Sequence, residues 1–223
     1  MTIKWSYSSI TLFQQCPRKY YHLRVLKDIV EPETEHMLYG KLVHEAAENY
    51  IKNGTEIPAQ FLFVKPILDV LKDIPGEKLC EYKMGLTKDL EPCDFFSEDV
   101  WFRGVADLLV INNDLAHIVD YKTGKSAKYA DTKQLELMAL AVFKHFPQVK
   151  KAKAGLAFVV SEEFVKDDYS KDTEDTLWVR WLSITDQLEK THSNDVWNAK
   201  PNFTCKNFCK VMSCEHNGRG EYR

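Results

Sequence analysis

The 223-residue sequence has no run approaching the roughly 18 to 20 apolar residues that a membrane-spanning helix needs. It also lacks an N-terminal apolar core followed by a small-residue cleavage site; "MTIKWSYSSITLF" offers neither. A cytoplasmic protein is the expectation. Excess positive charge is missing too. The net charge is -3, which argues against coating nucleic acid by bulk charge but leaves local phosphate contacts open. There is no internal repeat, no low-complexity tract and no G-x-x-x-x-G-K-[ST] loop, so no P-loop motor is encoded here.

What remains is ordinary for a folded domain: 44% hydrophobic and 28% charged residues. The length suits one large domain or two small ones. The six cysteines are unevenly placed. Cys205, Cys209 and Cys214 crowd the tail, Cys16 lies near the start, and Cys80 and Cys93 lie between. In a reducing compartment thiols or metal ligands are expected, not disulfides.

The serines of "SYSSITLFQQC" suit an N-cap and open a short helix, which Pro17 breaks or restarts. "TEHMLYGKLVHEAAENYIKNG" carries apolar residues at helical spacing and stops at Asn53-Gly54. A looser helical segment runs to about residue 73. "KLCEYKMGL", "DVWFRGVADLLVI" and "LAHIVDYK" read as strands, the last two joined by a turn at Asn113-Asp114. "DTKQLELMALAVFKHF" is apolar almost all round and reads as a buried helix. "AGLAFVV" and "TLWVRWLSI" read as two further strands separated by a polar loop, and a last helix covers about Asp186 to Trp197. The order predicts an α/β core with a mixed sheet flanked by helices, an N-terminal helical region and a Cys-rich C-terminal tail. We expect one domain over 1–223, with a helical region at 1–75, a sheet core at 76–185 and a helix with a metal-binding tail at 186–223.

A two-residue loop at Asn113-Asp114 sets the register. Asn112 faces Leu115, so Asp107 faces Asp120. By strand alternation Lys122 shares their face, together with Val105, Leu109, Ile111, Ala116 and Ile118. Two carboxylates and an ammonium thus converge on an apolar surface. Adjacent carboxylates repel unless a positive charge neutralises them. A divalent cation with hard oxygen ligands, magnesium or manganese, resolves this. The alternative is an Asp-Lys ion pair at a strand end.

The ordered motifs resemble the RecB-like branch of the PD-(D/E)XK nucleases, which includes CRISPR-associated exonucleases and phage relatives. The family shows G-x-x-x-H on a helix, G-x-x-D and (D/E)-x-K on strands, then a helix opening with Gln. They occur here as Gly40 to His44, Gly104 to Asp107, Asp120-Tyr121-Lys122 and Gln134. An N-terminal signature of serines, Phe, Cys-Pro and Tyr matches at Ser6, Ser8, Phe13, Cys16, Pro17 and Tyr20. The resemblance spans Ser6 to Cys214. It implies a restriction-endonuclease-like fold and a Mg2+- or Mn2+-dependent DNA exonuclease. His44, Asp107, Asp120 and the Tyr121 carbonyl would hold metal, Lys122 would act on the attacking water, and Gln134 would position Lys122 or substrate. Without the ordered motifs, His44 would read as a core histidine. Glu81 would add a further carboxylate or stand as a solvated strand residue. Where many relatives carry Tyr after the Gln, this chain has Met138.

The resemblance also implies a [4Fe-4S] cluster on Cys16, Cys205, Cys209 and Cys214, although the middle tail cysteine falls one position later than is usual. Zinc on the three tail cysteines with Cys16 or His216 is the alternative. Cys80 and Cys93 read as packing residues. Arg18, Lys19 and Arg24 are the candidates for DNA contact. Single-stranded DNA or DNA ends are the implied substrate, with a helicase or recombination partner, in a bacterial cell or encoded by a phage. A CRISPR-adaptation nuclease and a non-catalytic DNA-end binder are the competing expectations.

Overall fold

A computed structural model describes residues 3–128 and 130–220. Helix α1 (Tyr7–Gln15) starts at Ser6 with a reciprocal capping box: Ser6 Oγ accepts from Ser9 N, and Ser9 Oγ accepts from Ser6 N. Extended Cys16 ends it, and Pro17 opens α2 (Pro17–Tyr20), where a missing N–H costs nothing. A π-helical turn follows at Tyr21–Leu26. Helix α3 (Glu35–Asn53) is capped by Thr34, whose side chain accepts from Met37 N, and ends at Gly54 with φ 68°. A 3-10 segment, Ala59–Val64, leads into α4 (Lys65–Lys72). Among the described residues no helix is long and apolar enough to cross a membrane.

The described strands are β1 (Glu77–Leu86), β2 (Pro92–Cys93), β3 (Phe102–Asn112), β4 (Leu115–Lys122), β5 (Lys151–Phe158) and β6 (Glu163–Ser170), in sheet order β2-β1-β3-β4-β5-β6. The β4–β5 pair is parallel and the others are antiparallel, so the sheet is mixed. Helix α5 (Lys133–His145) makes the β4–β5 crossover and is buried continuously from Leu135 to Phe143, as its all-round apolar surface requires. Residues of α3, α4, β3 and β4 form one core cluster that includes Val43, Ala47, Leu68, Leu108, Val110, Val119 and Tyr121.

Two expectations fail. "TLWVRWLSI" lies inside helix α6 (Glu174–Asn194), which also contains the start of the expected last helix. Its buried residues, Trp178, Trp181, Thr185 and Leu188, recur at helical intervals, and that spacing outweighs the strand preference of Trp, Val and Ile. The polar loop before it holds β6. This edge strand carries Glu163, Lys166, Asp167 and Asp168, a charged composition that protects an open sheet edge and hides the strand from a hydrophobicity reading.

The chain divides into two compact units. The first comprises residues 1–4 and 33–178, and contains the sheet, α3, α4 and α5. The second comprises residues 5–32 and 179–223. In it, Trp5 stacks on Trp181 at 6.3 Å, Trp197 stacks on Tyr20 and Tyr21, and α7 (Thr204–Asn207) begins the cysteine-rich segment. Its cysteine region has a small core of Cys209, Val211 and Cys214.

Candidate active site and metal centre

The β3–β4 hairpin adopts the expected register: Asn112 pairs with Leu115 and Leu108 with Val119, with Asn113 at φ 53° in the turn. The ladder then stops. Asp107 makes no ladder pair with β4, and on its other side the β1–β3 ladder omits Glu81 and Asp107 while keeping register on both flanks. Glu81 has φ 49°, a left-handed conformation rare within a strand.

Both strands change phase at this point. Before it, a Cβ on Gly104 would meet Met138 of α5, and Tyr82 touches His145 and Phe146 at the end of α5. Beyond it, Leu108, Val110 and Cys80 pack with α3 and α4. Residues of like parity therefore face opposite sides on either side of the Glu81–Asp107 position. The uninterrupted alternation expected for β3 is corrected accordingly: Val105 does not share the face of Leu109 and Ile111.

The opening frees polar groups, and side chains fill it. Asp107 Oδ2 accepts from Tyr121 N at 2.7 Å, replacing the lost backbone pairing. His44, on α3, places Nε2 3.0 Å from the Tyr121 carbonyl and Nδ1 3.5 Å from Asp107 Oδ1. Glu81 completes a group: ligand atoms of His44, Glu81 and Asp107 lie within 4.8 Å of one another. A neutral imidazole has one N–H, yet both ring nitrogens of His44 face oxygen acceptors. The position calls for positive charge. Burial pushes the His44 pKa down, but the hydrogen bond and charge of Asp107, with help from Asp120, outweigh it and the net shift is upward. Glu81 shifts upward through burial and the adjacent Asp107 charge.

Asp120 and Lys122, on β4, form the second half. Lys122 Nζ lies 2.6 Å from Asp120 Oδ2. That oxygen is buried, and the Lys122 ammonium is its ion-pair partner. Gln134, in the first turn of α5, donates Nε2 to Asp120 Oδ1 at 2.5 Å and accepts from Lys122 Nζ at 3.3 Å through Oε1. Burial, and then the like charge of Asp107, hold the Asp120 carboxyl above its usual range.

The structure therefore brings together every residue the sequence named for this centre. Asp120 stands beside the His44–Glu81–Asp107 group, its oxygens turned to Lys122 and Gln134. Glu81, named only as a possible addition, belongs to that group. A cleft of about 760 Å3 opens over the site, walled by His36, Gly40, His44 and Glu48 of α3 and by Glu81, Lys122 and Thr123. Glu48 was not anticipated; its signal was its place four residues after His44, one helical turn on.

In the second unit, Cys16, Cys205, Cys209 and Cys214 line one small cavity. All six cysteines are free thiols. Three sulfurs face donors: Lys200 N lies 3.4 Å from Cys16 Sγ, Asn202 N 3.4 Å from Cys205 Sγ, and Arg18 Nη1 3.7 Å from Cys214 Sγ. Among the described residues no three cysteine sulfurs lie within 4.8 Å of one another. Arg18 also pairs with Glu215 and donates to the Trp197 carbonyl. Lys19 lies 3.7 Å from Glu31, and Arg24 is exposed. Cys80 packs against the core, and Cys93 sits in β2.

The family model of the PD-(D/E)XK nuclease superfamily matches residues 4–73 and 62–214. Among solved structures, the chain is similar to a candidate exonuclease from Eubacterium rectale, with 11% identity, a TM-score of 0.51, and coverage of 93% of this chain and 87% of that one. A second similar structure is the protein SSO0001, with 13% identity, a TM-score of 0.44, and coverage of 97% and 88%. No curated protein matches. The family match and the mixed sheet flanked by helices give the restriction-endonuclease-like α/β fold.

Proposed function

The chain belongs to the PD-(D/E)XK nuclease superfamily, and from that premise we propose that it is a metal-dependent deoxyribonuclease of the RecB-like branch. On this reading it acts as an exonuclease on single-stranded DNA or DNA ends, in recombination, repair or replication, with a helicase or recombination protein as partner. One observation carries the reading: the sheet opens at Asp107 and fills the gap with His44, Glu81 and Asp107, beside a buried Asp120 held by Lys122 and Gln134.

The donor set fits magnesium or manganese. It offers carboxylates and one imidazole, with the Glu81 and Asp120 carboxyls raised by burial and then by the neighbouring Asp107 charge, which a cation would offset. The 3.0 Å between His44 Nε2 and the Tyr121 carbonyl also equals the spacing of adjacent ligands, about 3.0 Å, around an octahedral ion with bonds of ~2.1 Å. His44, Asp107, Asp120 and the Tyr121 carbonyl would hold the metal, with Glu81 adjoining. When bound, the ion supplies Lewis acidity toward a phosphoryl oxygen and toward water. Lys122 Nζ offers N–H donors beside Asp120 and balances charge that builds on the phosphate. Gln134 fixes Lys122 relative to Asp120.

For the cysteine cavity the reading is a structural [4Fe-4S] cluster on Cys16, Cys205, Cys209 and Cys214. The sulfur spacing supports it over zinc, because tetrahedral zinc with bonds of ~2.3 Å would hold sulfurs about 3.8 Å apart.

The test is degradation of end-labelled single- and double-stranded DNA in magnesium, manganese or EDTA, for wild type, Lys122→Ala and Asp120→Ala. Metal-dependent cleavage lost in both variants, with folding and DNA binding retained, is the expected result. Loss of folding in Asp120→Ala would instead mark a structural ion pair. DNA binding without cleavage in any metal would mark a DNA-end binder.

A further inference from the structure

Beyond the candidate metal centre, the first unit carries an aromatic pair, Phe96 exposed and Phe95 half-buried, flanked by two cations. Phe95 and Phe96 follow β2, their rings 5.1 Å apart and edge to face. The turn is fixed: Asp94 Oδ1 accepts from Phe96 N at 2.7 Å, Ser97 N donates to Asp94 O at 3.0 Å, and Lys4 Nζ donates to Ser97 O at 3.1 Å. Phe96 is 68% exposed. Lys83 Nζ lies 5.2 Å from the Phe96 ring and 5.9 Å from Phe95; Arg103 Cζ lies 5.1 Å from Phe95 and 5.9 Å from Phe96. Among the described residues neither cation forms an ion pair with a carboxylate, and Arg103 Nε is buried without a hydrogen-bond partner.

The patch lies on the side of the sheet where the active-site cleft opens. Lys83 pairs with Val105 and Gly85 with Arg103, so Lys83 and Arg103 share a face. It is opposite the face where Tyr82 and Gly104 meet α5. Lys83 is two residues along β1 from Glu81, about 7 Å, and its charge acts on the Glu81 carboxyl. Arg103 is four residues along β3 from Asp107, about 13 Å.

We infer that this patch is a nucleotide subsite. A base of the substrate strand stacks on Phe96, and the flanking phosphates rest on Lys83 and Arg103. An exposed ring binds any base through its π-face, while two cations without carboxylate partners mark the path of a backbone. A base can reach the ring only when unpaired, so the subsite takes single-stranded nucleic acid. The identity of the ligand rests on the nuclease reading; the binding test does not need cleavage.

The experiment measures binding of a fluorescein-labelled oligothymidylate, and of the same strand in duplex, to the full chain in EDTA, alongside metal-dependent cleavage. Phe96→Ala should weaken single-strand binding about five- to a hundredfold, and Phe96→Trp should preserve it. Lys83→Gln with Arg103→Gln should lower the salt dependence of binding by about 1.4 in log-log slope. Phe96 is exposed, and an unchanged melting temperature excludes misfolding as the cause. Single-strand binding that Phe96→Ala leaves at wild-type strength overturns the inference, as does a wild type that binds no single strand. A wild type that binds through Phe96 but cleaves nothing in any metal keeps the subsite and removes the nuclease reading.

Discussion

At the scale of single residues, Gln134 shows how a neutral side chain can order two charged ones. Its amide donates to Asp120 and accepts from Lys122, so one planar group sets both ends of the ion pair. Neither charge is moved along the chain by this contact; only their relative orientation is set. Gln134→Ala should therefore lower DNA cleavage about ten- to a hundredfold and raise the magnesium concentration needed, as loss of an outer-shell partner does. The unfolding midpoint should stay near that of wild type, because the residue sits at the rim of the core in the first turn of α5. A metal titration of cleavage separates this from a general loss of structure, which would reduce the activity ceiling without shifting the metal requirement. Gly104 is read differently. Its missing Cβ leaves room for Met138, which a Cβ would approach to 2.9 Å at sulfur, and that contact accounts for the glycine of G-x-x-D.

At the scale of elements, the phase change in β1 and β3 builds the site. It costs backbone strain at Glu81, because a non-glycine residue in the left-handed region loses roughly 1–2 kcal/mol. Glu81→Gly and Glu81→Val both delete the carboxylate, so comparing them isolates the backbone. Glu81→Gly should unfold at higher urea than Glu81→Val by about 1–2 kcal/mol, with larger values expected from the β-branched clash. Equal midpoints would mean that β1 straightens without the carboxylate and that the site itself imposes the twist. This feature was not legible in the sequence: neither glycine nor proline marks position 81, and strand alternation carried through Asp107 placed Val105 on the wrong face. The hairpin was legible, because a two-residue turn at Asn113-Asp114 leaves a single register. Helix α5 was legible from its unbroken apolar run. The β6 strand and the first half of α6 were not, since one hides its pairing under charge and the other spells a helix with strand-favouring residues. The His44–Glu81–Asp107 group was nearly complete in the ordered motifs, and Glu81 gained its place in it only once β1 was laid against β3.

At the scale of the whole molecule, two segments far apart in sequence, within 5–32 and 179–220, form one unit. Cys16 and Cys205 are separated by 189 positions (205 minus 16), yet both line the same cavity. A link across that many residues restricts the unfolded chain strongly; the chain-entropy scale for a covalent link of this span is about 5 kcal/mol. The unit has a small aromatic and cysteine core, so a bound cluster would be a principal source of its cohesion. Cys16→Ser should then remove iron and the broad visible absorption from anaerobically purified protein, and open residues 195–220 to protease. Cys93→Ser, in β2 of the other unit, should change neither. Asp120→Ala should lose cleavage but keep iron, because its carboxylate belongs to the sheet unit and the cysteines do not. Colourless wild-type protein with one equivalent of zinc would replace the cluster with a mononuclear site. The four cysteine ligands would then have to draw closer than the present sulfur spacing, and Cys16→Ser would still loosen the tail but through loss of zinc.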